Sequence, residues 1–368
     1  MHFQQGRWRV RFGLHDTRCA ESSGATLRRF MHTCCMQFIL SQHLRSWCIH
    51  RPFMACILAT ALVLGIQACA SHNEAAVATP TSASTNSTAH AKAVTPAVLK
   101  DMKQRHEKFT MLTAYTEADM TMVENANIET VLVGDSYGVV RKGYPDTSHV
   151  TMQDMLAATK DVAKAHKHAN LIADLPHNSY RTPSETVTNS KLLIAAGADS
   201  VKLEGGKEFV PQVRALVAAG IAVMGHIGNT PQTKKSGTNF IAGKDKAEAD
   251  LMLEDALALQ AAGIYALVIK DTDPEVARFI SKRLDIPTIG IGAGTFTDGQ
   301  ALVIDDLLGA GTFSQRNQLQ IYGRVGDRTL WPKGDQEKIV EFRKRVKEGA
   351  FPSEQETFHA YSGPLLNP

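Results

Sequence analysis

From Pro96 onward the chain alternates between two patterns, and this alternation most limits what it can fold into. Short, bulky, nearly continuous apolar runs recur at Phe109–Tyr115, Glu129–Asp135, Asn170–Pro176, Ser200–Gly205, Ala222–Gly228, Tyr265–Asp271 and Pro287–Gly294. Such runs suit strands buried on both faces, as in a parallel sheet covered by helices. Between them lie segments with apolar residues at three- and four-residue steps, of which Thr151–Lys167 and Lys246–Gly263 are the clearest. Gly197, Gly220 and Gly263 stand just past such segments, where a left-handed C-cap belongs. An eighth strand is expected within Ala301–Asp306 and a C-terminal helix over Gln336–Gly349. Seven or eight strand–helix units in one run allow a barrel or a doubly wound sheet. No Gly-rich phosphate fingerprint is found, so the expected fold class is α/β, a (β/α)8 TIM-type barrel over residues 96–360.

The residues ahead of the barrel read differently. Residues 1–52 mix Arg, His, Cys and Gln without period, and Met36 is an alternative start. Residues 53–69 open with one apolar run, Phe53 to Ile66, too short to cross a bilayer comfortably. With Arg45 and Arg51 before it, it has the length of a signal-peptide core. Ile66-Gln67-Ala68-Cys69 then looks like a bacterial lipobox, with Cys69 as the lipid anchor; a chance Ala-Cys pair is the bland alternative. Residues 70–95, rich in Ala, Ser and Thr, cannot bury enough apolar surface to fold and read as a flexible linker. The expectation is a disordered, signal-like extension and an exported or membrane-anchored protein facing the periplasm, the alternative being the cytoplasm. All six cysteines precede residue 70, so the barrel has no disulfide, thiolate metal site or cysteine nucleophile. A formal charge of +3 gives no electrostatic case for nucleic acid.

Polar residues recur at the expected C-terminal ends of four successive strands: Asp135 and Ser136, then Asp174, then Lys202 and Glu204, then His226. In barrels of this class that face carries the chemistry. Any one of these acids alone is as readily a solvated strand end or a helix cap. Three converging carboxylates, however, need a raised pKa or a cation. With hard oxygen donors and no cysteine, Mg2+ is the natural choice. A 2-oxo acid can complete its coordination through a carboxylate and a ketone oxygen, which polarises the ketone. Lys202 reads either as a structural ion pair or as an anchor for the substrate carboxylate. His226 reads either as a core histidine or as a substrate-binding residue.

Several segments also resemble a known family in order and spacing. These are Val131-Leu-Val-Gly-Asp-Ser136, Ala173-Asp-Leu-Pro176, Val201-Lys-Leu-Glu-Gly-Gly206, Gly225-His-Ile-Gly228 with Thr230-Pro-Gln232, and Ile289-Gly-Ile-Gly-Ala-Gly294 with Thr297-Asp-Gly-Gln300. They look like the ketopantoate hydroxymethyltransferases, barrels of the phosphoenolpyruvate/pyruvate type. The resemblance implies transfer of a hydroxymethyl group from 5,10-methylenetetrahydrofolate to 3-methyl-2-oxobutanoate, a step of pantothenate biosynthesis, in a large homo-oligomer. It places Mg2+ at Asp135, Asp174 and Glu204, and the 2-oxo acid at Asp135, Ser136, Asp174 and Lys202.

The chain departs from that pattern where the family ends strand six with the Glu that removes the C3 proton. Here the position is Lys270. An ammonium cannot accept a proton, although burial or a nearby cation lowers a lysine's pKa and a lysine so depressed can serve as base. Asp271 is a second candidate, but strand alternation directs it away from the mouth. Further departures are Thr116 in place of an acid, an altered loop at residues 236–244, and an altered segment at residues 312–331. Three readings follow: an active hydroxymethyltransferase with a substituted base, another Mg2+-dependent enzyme on 2-oxo acids using Lys270, or an exported binding protein for 2-oxo acids that has lost the base.

Overall fold

The computed structural model describes residues 93–232, 240–309 and 331–366. The apolar run, the lipobox-like Cys69, residues 236–239 of the first altered segment and residues 312–330 of the second lie outside the described residues. Among those described, no helix is long and apolar enough to cross a membrane.

Eight strands close into a parallel barrel in sequence order: β1 Phe109–Thr113, β2 Thr130–Val133, β3 Asn170–Asp174, β4 Ser200–Lys202, β5 Val223–Gly228, β6 Ala266–Lys270, β7 Thr288–Ile291 and β8 Gly299–Leu302. Met111 pairs with Ala301 across the seam that joins β8 to β1. The barrel class expected from the alternation is therefore the one formed.

Strand alternation divides the apolar residues into two cores. Met111, Ile172, Met224, Ala266, Val268, Ile289 and Ala301 fill the lumen. Their neighbours in the strands, such as Leu112, Val131, Leu171, Val201, Val223 and Leu267, face the helices in a larger cluster. This is why the strands read as continuous apolar runs: both faces are dry. Helix α1 (Pro96–Gln104) buries Leu99 and Met102 against the lumen cluster, so one end of the barrel is plugged.

Local signals set the helix ends. Thr116 opens α2 (Glu117–Asn125) and Thr151 opens α4 (Met152–Ala163), each in a capping box with the Asp three residues on; the short α3, Ser136–Val140, lies between them. The helices α5 (Pro183–Ala195), α6 (Val210–Ala218) and α7 (Lys246–Ala262) are followed by Gly197, Gly220 and Gly263, with φ of 114°, 72° and 105°. A side chain at such φ would be strained.

The eighth strand begins earlier than expected, and Ile304–Leu308, partly assigned to it, is a short helix ended by Gly309 at φ 82°. Gly299 and Gln300 hid the start. A Cβ on Gly299 would lie 2.6 Å from the Phe109 ring, and the Gln300 amide donates to the Gly294 carbonyl at 2.8 Å. Neither residue is apolar, yet both are dictated by close packing.

After the C-terminal helix, Asp335–Lys347, the tail returns across the barrel's loops. The Asp273 carboxylate accepts from the Ala360 and Tyr361 amides at 2.6 and 2.8 Å, and Leu366 is buried.

Candidate active site

The lumen periodicity carries straight into the site. Two residues beyond Ile172, Met224 and Val268 stand Asp174, His226 and Lys270; Lys202 stands two beyond Ser200. These four stand at or near the C-terminal ends of four successive strands.

Asp174 is the centre of this layer. Its Oδ1 lies 2.7 Å from Lys202 Nζ, and its Oδ2 accepts from the Asp135 backbone amide at 3.0 Å. Both side chains of the ion pair are almost wholly buried, at 3% and 6% exposure. Burial, and then the Asp135 carboxylate beside it, push Asp174 above the ordinary carboxylate range, against the pull of Lys202. Burial works against the Lys202 ammonium, but Asp174, Asp135 and Glu204 together hold it above the usual lysine value.

Asp135 and Ser136 sit at the turn from β2 into α3. Gly134 keeps that turn uncrowded: a Cβ would lie 3.0 Å from Ser136 Oγ. Ser136 Oγ is 2.8 Å from the Tyr115 hydroxyl, and the Tyr115 ring stacks on Tyr137 with centroids 5.6 Å apart.

Gln232 was not singled out from the sequence as a site residue, yet it joins four strand-end loops. Its Nε2 donates to Asp135 Oδ2 at 2.6 Å and to the Leu175 carbonyl at 3.3 Å. Its backbone amide donates to Glu204, and its Oε1 accepts from the Tyr180 hydroxyl at 2.7 Å. The only sequence signal was its place in Thr230-Pro-Gln232, because an uncharged amide gives no electrostatic cue.

Glu204 also approaches His226, with Oε2 3.2 Å from Nδ1. The two lack the alignment of a hydrogen bond. Burial, followed by the Lys202 and Lys270 charges, holds His226 well below its usual pKa. The same burial disfavours an ion pair between His226 and Glu204.

Lys270 ends β6 opposite Gly228 and Ile291 of the flanking strands. Its carbonyl accepts from the Asn229 amide at 2.9 Å. Gly228, at φ 95°, has no room for a side chain, since a Cβ would lie 2.2 Å from that carbonyl. Asp271 turns out of the mouth, as strand alternation requires, and its Oδ2 accepts from Asn229 Nδ2 at 2.7 Å. The backbone there is left-handed, with φ 44°.

Among the described residues no three His, Cys, Asp or Glu side chains are grouped closely enough to hold a metal ion. The expected set of Asp135, Asp174 and Glu204 is thus drawn to one mouth without closing into a three-ligand cluster. Glu204 is instead engaged with Gln232 and beside His226. What does fit a hard cation is the pair Asp135 and Asp174, in which the Asp135 carboxylate helps to raise Asp174 above the ordinary carboxylate range. Mg2+ commonly takes one or two protein carboxylates and fills its remaining positions with water or substrate oxygens.

Residues 93–354 match the family described as Ketopantoate hydroxymethyltransferase. A 3-methyl-2-oxobutanoate hydroxymethyltransferase of Moorella thermoacetica is 41% identical over 268 residues, covering 72% of this chain and 97% of that one. One from Saccharolobus islandicus is 47% identical over 214 residues, covering 58% of this chain and 80% of that one. Among solved structures, a phosphonopyruvate hydrolase in complex with oxalate and Mg2+ is similar at 15% identity and a TM-score of 0.45, covering 70% of this chain and 98% of that one. That last likeness is too slight to add to the fold already described.

Proposed function

The chain belongs to the ketopantoate hydroxymethyltransferase family, and from this premise we propose that its barrel mouth binds a 2-oxo acid with Mg2+ and transfers a hydroxymethyl group from 5,10-methylenetetrahydrofolate to 3-methyl-2-oxobutanoate. The observation that supports this most is the buried Asp135–Asp174–Lys202 constellation, which pairs a cation-seeking carboxylate couple with an ammonium. Bound at Asp135 and Asp174, Mg2+ would supply Lewis-acid polarisation of the substrate ketone. Lys202 would receive the substrate carboxylate, Ser136 would donate a hydrogen bond to it, and Gln232 would keep Asp135 turned toward the cation. The plugged lumen below would close the site from its far end.

A second reading has its own observation. Lys270 ends β6, at the position where the resemblance puts the family's base, and an ammonium there cannot take the C3 proton. On that reading the protein binds 2-oxo acids without hydroxymethylating them.

Solvent deuterium exchange at C3 of 3-methyl-2-oxobutanoate, followed by proton NMR with the full chain, Mg2+ and no folate, separates the two. Exchange above the metal-only background, lost in Lys270→Ala, supports the first reading. Saturable binding without exchange removes it.

Two further properties belong to the proposal. Export with lipidation at Cys69 is supported by the apolar run and the linker that follows it. Self-association is supported by Leu192, Val217, Leu251 and Leu257, which stand 40–55% exposed on α5, α6 and α7.

A further inference from the structure

The turn that ends β6 holds a costly backbone shape. Asp271, the first residue past the strand, has φ 44°, in the left-handed region that residues with a side chain adopt at a cost. Such a conformation persists only where its surroundings over-determine it. Here the Asp271 amide donates to the Ile291 carbonyl at 2.8 Å, and its carbonyl accepts from the Ala242 amide at 2.7 Å. The Thr272 amide donates to Gly292 at 3.1 Å and the Asp273 amide to Ala242 at 3.0 Å. The turn is tied to the mouth through the Lys270 carbonyl, which accepts from the Asn229 amide, three residues beyond His226.

The outermost ties come from the far end of the chain. Asp273 is buried, and its two oxygens have separate tasks. Oδ1 accepts from the Glu275 amide at 2.9 Å and opens helix α8 (Pro274–Ser281). Oδ2 accepts from the Ala360 and Tyr361 amides of the tail. The Ser362 amide then donates to the Lys244 carbonyl at 2.9 Å, two residues past Ala242. Consecutive tail residues thus bind both segments that bracket Asp271. Between Glu356 and Leu366 no tail side chain is buried, so this docking depends on backbone amides more than on packing. A segment with so few buried contacts opens locally while the rest of the fold stays closed. An asparagine at 273 would turn its NH2 group toward one of the two sets of amides, so the task is specific to a carboxylate.

We infer that Asp273 is a positioning residue of the mouth, and that the tail docked on it is a strap that holds the strained end of β6 in its ligand-ready form. The strap is independent of the reaction performed; its effect on a ligand rests on the reading that the mouth binds a 2-oxo acid with Mg2+.

Two full-length variants loosen the strap and leave Asp273 and the α8 cap in place. Ala360→Pro removes one donated amide, and Ala360→Pro combined with Ser362→Pro removes two. Hydrogen exchange read by mass spectrometry is expected to quicken at least about tenfold in peptides covering residues 226–230 and 268–273 of the double variant, less so in the single one, while peptides covering β3 stay within about twofold. Calorimetric titration of the double variant with 3-methyl-2-oxobutanoate and Mg2+ is expected to give a Kd at least about threefold higher than that of the natural chain, because a smaller share of molecules is ready to bind. Unchanged exchange at the end of β6 overturns the inference. Exchange that quickens equally in β3 also overturns it, since the tail would then be a general brace. Faster exchange at β6 with an unaltered Kd removes the positioning role. No binding by the natural chain overturns the 2-oxo-acid reading instead, and the exchange comparison still decides whether the strap holds the turn.

Discussion

Replacing Lys202 by methionine would leave the Asp174 carboxylate buried beside Asp135 with its counter-ion gone. Breaking a buried pair in this way costs about 3–5 kcal/mol, because the desolvated charge remains. The cost has a definite pH dependence. Asp174 already titrates above its unfolded value in the folded protein, and without Lys202 it titrates higher still. A group whose folded pKa is raised stabilises the fold below that pKa and loses the contribution as pH rises through it. Urea melts of Lys202→Met should therefore show a smaller deficit from the natural protein at pH 5 than at pH 8. Equal deficits at the two pH values would mean that Asp174 is not the group bearing the cost. Gln232→Leu should weaken Mg2+-dependent binding of 3-methyl-2-oxobutanoate about tenfold by releasing Asp135. Tyr180→Phe should add little in that background, since its hydroxyl acts on Gln232.

At the scale of the elements, Thr116 changes meaning. Read from the chain alone, it is one of the departures that put the site in doubt. In the fold it is the N-cap of α2, its hydroxyl accepting from the Asp119 amide at 3.1 Å. An acid at an N-cap does the same work, so the exchange is a capping choice. Thr116→Ala should lower stability by about 1 kcal/mol and Thr116→Asp by almost nothing, as thermal melts would show. A change in ligand affinity with Thr116→Asp would return the residue to the site. The same comparison shows what was legible. Strands dry on both faces announce themselves as apolar runs, and glycine caps mark the helix ends. The sequence could not say which strand face lines the lumen, because both faces are apolar. It also could not expose β8, whose Gly299 and Gln300 are chosen by the Phe109 ring and the Gly294 carbonyl. The charged strand ends Asp135, Asp174, Lys202 and Glu204 were visible as candidates because charge at the end of an apolar run is conspicuous. Gln232 was missed because its partners come from elements distant in sequence.

For the molecule as a whole, the described barrel supports a site by bringing far-separated strand ends together, and the proposed export rests on the sequence before residue 93. If that sequence carries a lipid anchor, the full chain expressed in a bacterial host should partition into the detergent phase and carry an acyl mass on Cys69. Cys69→Ala should release it, and an unmodified, soluble natural chain would discard the anchor. The exposed leucines of α5 and α7 predict a mass above one protomer in light scattering; a monomer at micromolar concentration would argue against them as an interface. Closure of the ring has one more result. Asp135, Asp174, Lys202 and His226 lie on or just beyond strands β2 to β5, whereas Lys270 ends β6, the first of the remaining three. A gene divided between the codons of Gln232 and Phe240 would thus give two products, neither carrying the complete set of strand ends that form the mouth. Their reunion requires two seams to zip at once, β5 on β6 and β8 on β1. The divided protein would then work as a coincidence detector, its ligand signal rising only when both edges have found each other.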